Sequence, residues 1–215
     1  MSTLFINGSP KGKKSNSYTF IEQISAPLQF PYEIRTLASL NTKLLADEIE
    51  EYETIIIVMP LYIHAMPGIV KELFEEMKIN KKQGRRIGFI VQAGFEESET
   101  AKYLVNYLEV FVCRMNYEYM GTIVKPGAAG LALMPRFMFK KLLNQLTQLG
   151  VEYNQTQTFS KEMKETLGNP YVLSEKQVKL LCRKPVKWMN KQGWHYFLRK
   201  NKAYKERLDR PYLLK

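Results

Sequence analysis

The sequence predicts an α/β protein, a parallel β-sheet covered by helices on both faces, with a helical basic extension behind it. Three observations carry this. Runs such as Thr54-Ile55-Ile56-Ile57-Val58-Met59-Pro60 are apolar throughout instead of alternating, as strands buried on both faces are. Five candidate strands are separated by helix-patterned stretches long enough for crossover connections, which demands parallel pairing. The charge, finally, is divided: residues 1–160 hold 17 basic and 16 acidic side chains, and residues 161–215 hold 15 and 5, within a total of +11. A domain over 1–153 and a basic, aromatic helical extension over 154–215 are therefore expected, with the change of character between Val151 and Gln157.

Each element has its own warrant. Thr3-Leu4-Phe5-Ile6 is a buried first strand, and Tyr18, Ile21 and Ile24 then recur at helical spacing. Pro31 to Ala38 alternates apolar and polar residues, as a strand near a sheet edge does. Leu44 to Tyr52 reads as a short acidic helix or turn. Thr54 to Pro60 is the most hydrophobic run and the central strand, and Val70, Leu73, Phe74 and Met77 line one face of the helix over Ile69 to Met77. Arg86 to Val91 and Tyr117 to Val124 are the fourth and fifth strands, with a helix from Glu99 to about Arg114 between them. A last domain helix is expected over Leu133 to Leu149.

The loop after the first strand has the most chemistry. Gly8-Ser9-Pro10-Lys11-Gly12-Lys13-Lys14-Ser15-Asn16-Ser17 places hydroxyls, an amide and three cations ahead of a helix, whose free N–H groups and dipole favour an anion. Gly8 and Gly12 suit a backbone wrapped closely round a phosphate. It is not a Walker A loop, because the glycines are one residue too close and Lys14 stands where a hydroxyl is needed. Nor is there a G-x-G-x-x-G fingerprint. The plainer reading is a serine-capped turn with solvated lysines. The loop resembles the G-S-P-[RK]-x-x-S-N-[ST] loop of the flavodoxin-like NAD(P)H-dependent FMN reductases, with one residue more than the usual spacing. Pro60-Leu61-Tyr62-Ile63-His64-Ala65-Met66-Pro67-Gly68 is similar to the P-x-Y-x-x-x-x-P-[GA] flavin loop of the same family.

The resemblance covers roughly residues 3–130 and implies a flavodoxin-like three-layer sandwich with strand order 2-1-3-4-5. It implies FMN, with Ser9, Lys11, Ser15, Asn16 and Ser17 on the phosphate and Pro60, Leu61, Tyr62, Ile63 and His64 along the ring. Ala93, Gly94 and Phe95, in the small-residue bend Gln92 to Ser98, would let the backbone approach that ring. Tyr62 and His64 are candidate substrate contacts; a hydrogen-bonded surface histidine is the alternative for His64. Lys125 to Gly130 ends a strand at the same edge and is a candidate wall of the pocket.

The implied activity is transfer of hydride from NADH or NADPH, through FMN, to a small electron acceptor such as a quinone, a nitro or azo compound or free flavin. The flavin carries the chemistry, so no side chain is named as a catalyst. The family also implies homodimers or tetramers. A flavodoxin-type electron carrier and a flavin-free scaffold that binds membrane surfaces are the alternatives. Cys113 and Cys182 make no redox pair or cluster site and are expected as buried reduced thiols, and no metal site is expected. The absence of a signal pattern or an apolar run of membrane-spanning length points to the cytoplasm. In the extension, Val186, Trp188, Met189, Trp194, Tyr196, Phe197, Leu198 and Tyr204 interleave with lysines and arginines. Packing against the domain or a partner subunit is the default for such a stripe; peripheral membrane contact ranks second and nucleic acid last.

Overall fold

The computed structural model describes residues 2–131 and 135–209, without the side chain of Met189. Five parallel strands, β1 (Thr3–Asn7), β2 (Tyr32–Thr36), β3 (Thr54–Pro60), β4 (Arg86–Gln92) and β5 (Glu118–Lys125), form one sheet in the order β2-β1-β3-β4-β5. Order and direction are those expected. Registers such as Phe5 beside Ile34 and Ile56, and Val58 beside Ile90, align the carboxyl ends of β1, β3 and β4.

Successive strand residues point to opposite faces, and each face has its own core. Leu4, Ile6, Ile55, Ile57 and Met59 pack with α2 (Thr42–Ile49), α3 (Gly68–Glu76) and α4 (Lys102–Arg114). Phe5, Ile56 and Val58 pack with α1 (Asn16–Ser25), α5 (Lys140–Thr156) and α6 (Lys161–Gly168). Because β3 is completely buried, its seven residues are free of the alternation that a solvent-facing strand needs. The outer strand β2 is the most exposed, in keeping with its alternating sequence; at the other edge only Glu118 of β5 is exposed.

Three expectations need correction. The last domain helix starts later than Leu133, a position outside the described residues; one 3-10 turn at Arg136–Phe139 precedes α5, which runs on to Thr156. The extra turns follow the buried stripe Leu142, Leu146, Leu149 and Tyr153, whose hydroxyl bonds Thr3 Oγ1 at 3.1 Å. Second, Cys113 and Cys182 are free but exposed. The buried stripe of α4 is Leu104, Leu108 and Val112, and the next residue along the helix turns about 100° away from it. Third, the expected helix from Glu99 begins as a 3-10 turn over Ser98–Ala101 and becomes α-helical only at Lys102.

Two compact units emerge, Met1–Val172 and Leu173–Lys215. Within the first, the stretch Val151 to Gln157 where the charge changes lies in α5 and its left-handed cap at Gln157. Ser160 caps α6 through the Met163 N–H, and Phe159, Met163 and Leu167 are buried against β5, so the outer strand is covered. The second unit holds α7 (Glu175–Leu181), with a Ser174–Gln177 capping box, and α8 (Lys184–Lys200). After α8 the chain returns, and Tyr204 sits between the guanidinium groups of Arg199 and Arg207 at 4.5 and 4.2 Å.

Candidate functional site

Four loops meet at the carboxyl edge of the sheet, and backbone bonds hold them together. Leu61 N–H donates to Gln92 O at 2.8 Å, Ala93 N–H to Lys125 O at 2.8 Å, and Ala128 N–H to Ala93 O at 2.8 Å. Asn16 closes the set by donating from Nδ2 to Ala128 O at 2.7 Å. Between the loops is a cavity of about 560 Å³, lined by Ser9, Lys11, Lys14, Ser15, Asn16, Pro60, Leu61, Tyr62, Gln92, Gly94, Phe95 and Ala129. That size suits a cofactor or small ligand. Two lining residues are cations and none is acidic, so the cavity favours an anion.

The first loop is shaped from below by Asn7, the buried last residue of β1. Its Nδ2 donates to Gly12 O at 2.9 Å, and its Oδ1 accepts from Ser9 N–H at 3.1 Å and faces Ser15 Oγ at 3.3 Å. Ser15 Oγ lies 2.7 Å from Gly12 O and accepts the Tyr18 N–H at 3.1 Å, so this hydroxyl is occupied in folding the turn and capping α1. Gly12 needs its freedom, with φ at +60°. Gly8 has another role than the one expected, because a Cβ there would stand 2.6 Å from Val70 Cγ2 and 3.2 Å from Met59 Cβ. It allows close packing on α3 and β3.

What remains for a ligand is specific. Ser9 Oγ accepts the Lys11 N–H at 3.3 Å and keeps its own proton to donate. With Ser15 N–H on Gly12 O and Tyr18 N–H on Ser15 Oγ, the Asn16 and Ser17 amides are the first-turn donors without an intrahelical acceptor. Two buried oxygens, Asn16 Oδ1 and Ser17 Oγ, have no protein partner. Buried polar atoms are rarely left so, and their concentration at one helix start marks a place completed by something else.

The second loop contains a tight hairpin. Tyr62 and Ala65 exchange N–H···O bonds of 2.9 and 3.1 Å across Ile63 and His64, whose φ angles are +49° and +64°. Two successive left-handed residues are the geometry of a type I′ turn, which glycine and asparagine normally fill, so the loop stores strain here. Tyr62 reaches the cavity wall, whereas Ile63 is 89% exposed and His64 also faces outward. His64 Nδ1 donates to Thr100 O at 2.7 Å, since a carbonyl can only accept, and the ring lies parallel to Phe95 at 6.2 Å. His64 lines a separate hollow with Glu99, Thr100, Lys102 and Tyr103. It supports Phe95, which forms a cavity wall.

Ser9, Lys11, Ser15, Asn16, Pro60, Leu61, Tyr62, Gly94 and Phe95 thus come together around one space. Ser17 and Ala93 are buried behind it, and Ile63 and His64 lie outside it. Ala129 lines the cavity from the stretch Lys125 to Gly130 expected as its wall, whereas Lys14 and Gln92 in the lining and Asn7 beneath it were not among the named site residues. A polar residue ending an otherwise apolar strand was the available signal for Asn7. At the rear, burial holds the Lys125 ammonium below its ordinary range, with nearby Glu96 acting in the opposite sense.

No protein-family model matches the chain, and no curated protein does. Solved structures do. An NADPH-quinone reductase from P. pentosaceus superposes with a TM-score of 0.57 at 19% identity, over 73% of this chain and 99% of that one. An FMN-dependent NADH-azoreductase from Bacillus anthracis, solved with FMN, gives 0.52 at 17% identity, over 72% and 100%. An NADH:FMN oxidoreductase in its apo form gives 0.51 at 14% identity, over 79% and 96%. Together with the strand order 2-1-3-4-5, these make the fold flavodoxin-like.

Proposed function

We propose that the chain is an FMN-dependent oxidoreductase that uses NADH or NADPH to reduce a small acceptor such as a quinone, a nitro or azo compound or free flavin. The observation that carries this reading is the juxtaposition in one cavity of an anion-binding helix start with two aromatic walls. The named activities of the structural neighbours, quinone, azo and flavin reduction, support it.

The residues present fit the cofactor. Lys11 and Lys14 supply charge for a phosphate dianion, Ser9 Oγ a hydroxyl donor, and the Asn16 and Ser17 amides oriented N–H groups. The partnerless Asn16 Oδ1 is an acceptor, which suits a ligand hydroxyl better than a phosphate oxygen. Tyr62 and Phe95 offer flat apolar surfaces for a ring system, with Gln92 as a polar group at the strand end. Bound FMN would supply the acceptance and release of hydride. The protein's share is to hold that ring against a second planar ligand, with the His64 ring, tied to Thr100, parallel to the Phe95 wall.

The test is the visible spectrum of protein mixed with FMN and desalted. The wild type is expected to retain flavin absorption, and a folded Ser9→Ala, Lys11→Ala, Lys14→Ala variant to lose it. No flavin on the wild type would sink the reading. Steady NADH or NADPH oxidation with a quinone and no partner protein then separates this enzyme from a flavodoxin-type electron carrier.

The same reading includes a homodimer or tetramer. Tyr103, Tyr107 and Val110 supply support as an exposed stripe at helical spacing on α4. Light scattering should give a mass of at least two chains; a monomer at all concentrations would remove this part.

A further inference from the structure

The second unit has a surface of different chemistry. Residues 173–215 hold thirteen lysines and arginines against three acids, and α8 contains no acid at all. Projected at about 100° per residue, Trp194, Lys187, Lys191, Lys184, Trp188 and Arg199 fall within one arc of roughly 140°. All six are exposed, Trp188 at 62% and Trp194 at 68%. Four cations and two indoles therefore share one side of a helix about 26 Å long, with the half-buried His195 and Leu198 between them.

We propose that α8 lies on an anionic lipid surface, its tryptophans at the level of the headgroups and its lysines and arginine on the lipid phosphates and carboxylates. Charge complementarity selects the partner's sign and excludes a second copy of the same face, which would repel. The apolar inventory selects lipid over nucleic acid. Val178, Leu180 and Leu181 of α7 and Leu208 are exposed as well. Aliphatic side chains gain little at a nucleic-acid interface, which is polar and wet, whereas a bilayer surface buries them. Indoles have their own preference for that interface, where an apolar body meets polar headgroups. The helix lies on the surface and does not cross, because no described helix is long and apolar enough to span a membrane. The surface contact stands without the flavin reading.

The two tryptophans of the chain are both in α8, so tryptophan emission, excited selectively over that of the tyrosines, reports this helix alone. The full chain is titrated with vesicles of phosphatidylcholine, with vesicles containing phosphatidylserine, and with a single-stranded oligonucleotide. Phosphatidylserine vesicles are expected to sediment the protein and shift its emission to the blue, with the affinity falling as salt is raised. A Lys184→Gln, Lys187→Gln, Lys191→Gln variant should bind roughly a hundredfold more weakly, at about fivefold per charge. Its retention of FMN should be unchanged, which separates this test from that of the cofactor. Binding indifferent to phosphatidylserine, binding only to the oligonucleotide, or an unshifted emission would each overturn the proposal.

Discussion

The two ends of the same sheet handle buried polar groups in opposite ways. At the amino end, Arg85 is 5% exposed and is in none of the ion pairs among the described residues, yet each guanidinium nitrogen has an acceptor: Nε donates to Tyr52 O at 2.9 Å, Nη1 to Asn80 Oδ1 at 3.1 Å and Nη2 to Ile49 O. Tyr117 lies against its face at 5.1 Å, and Asn80 and Asn116 exchange side-chain and main-chain bonds of 2.8 and 2.9 Å. At the carboxyl end, two buried oxygens have no partner, two non-glycine residues are left-handed, and Phe95 is 56% exposed. Buried polar chemistry marks a binding site only where it is incomplete. The Arg85 cluster at the amino end is complete by itself, and it is a structural joint; Glu152 Oε1 and Gln157 Oε1, at the end of α5, are partnerless singly and line no shared space.

Breaking the amino end should have the largest effect. Arg85→Met removes three hydrogen bonds and strands Tyr52 O, since Asn80 Oδ1 keeps the Lys82 N–H and Ile49 O the Tyr52 N–H, and it is expected to lower stability by about 2–3 kcal/mol in urea titrations, without altering the retention of the proposed flavin by the molecules that remain folded. Loss of flavin in folded Arg85→Met protein would undo the division between the two ends. At the carboxyl end the sign reverses. Ile63→Gly releases a left-handed β-branched residue whose side chain is 89% exposed, and it should raise stability by about 1 kcal/mol. A loss instead would show that the turn is not strained.

The smallest effect is invisible at neutral pH. Burial, with the neighbouring Glu33 and Glu48 carboxylates second, pushes the Tyr52 phenol up to about 12; its hydroxyl donates to Glu48 Oε1 at 3.4 Å. An unfolded chain ionises its tyrosines near pH 10, so the folded state binds the extra proton between about pH 10 and 12. Stability should be full below that window and fall through it. Tyr52→Phe should flatten this part of the alkaline limb, the rest belonging to Tyr117, Tyr119 and Tyr153, which burial also raises. An identical slope in the variant would remove Tyr52 from the account.

Much of the sheet was legible because β1, β3 and β4 are buried on both faces, and continuous apolar runs have few other uses. The loops were legible as loops because proline, glycine and serine punctuate them. What their side chains face was less so. The Ser15 hydroxyl is taken up by Gly12 and Tyr18, and His64 by Thr100, 36 positions away. Spacing reports which residues share a face of one element. It does not report which distant backbone group claims a hydroxyl or an imidazole first. The same reasoning explains α6, whose short amphipathic stripe joins the first unit because it fits the exposed side of β5, a fact recorded nowhere in its own residues.

The bond from Asn16 to the carbonyl of Ala128 spans 112 positions, which gives the cavity a history as well as a shape. A ribosome releases the anion-binding loop early and its last wall only after four more strands. A growing chain therefore exposes the loop's cations and unmatched amides for most of its synthesis, with no closed space in which to retain a cofactor. For the FMN we propose, loading would belong after β5 has docked, leaving a stalled or truncated product empty and distinguishable from a finished molecule.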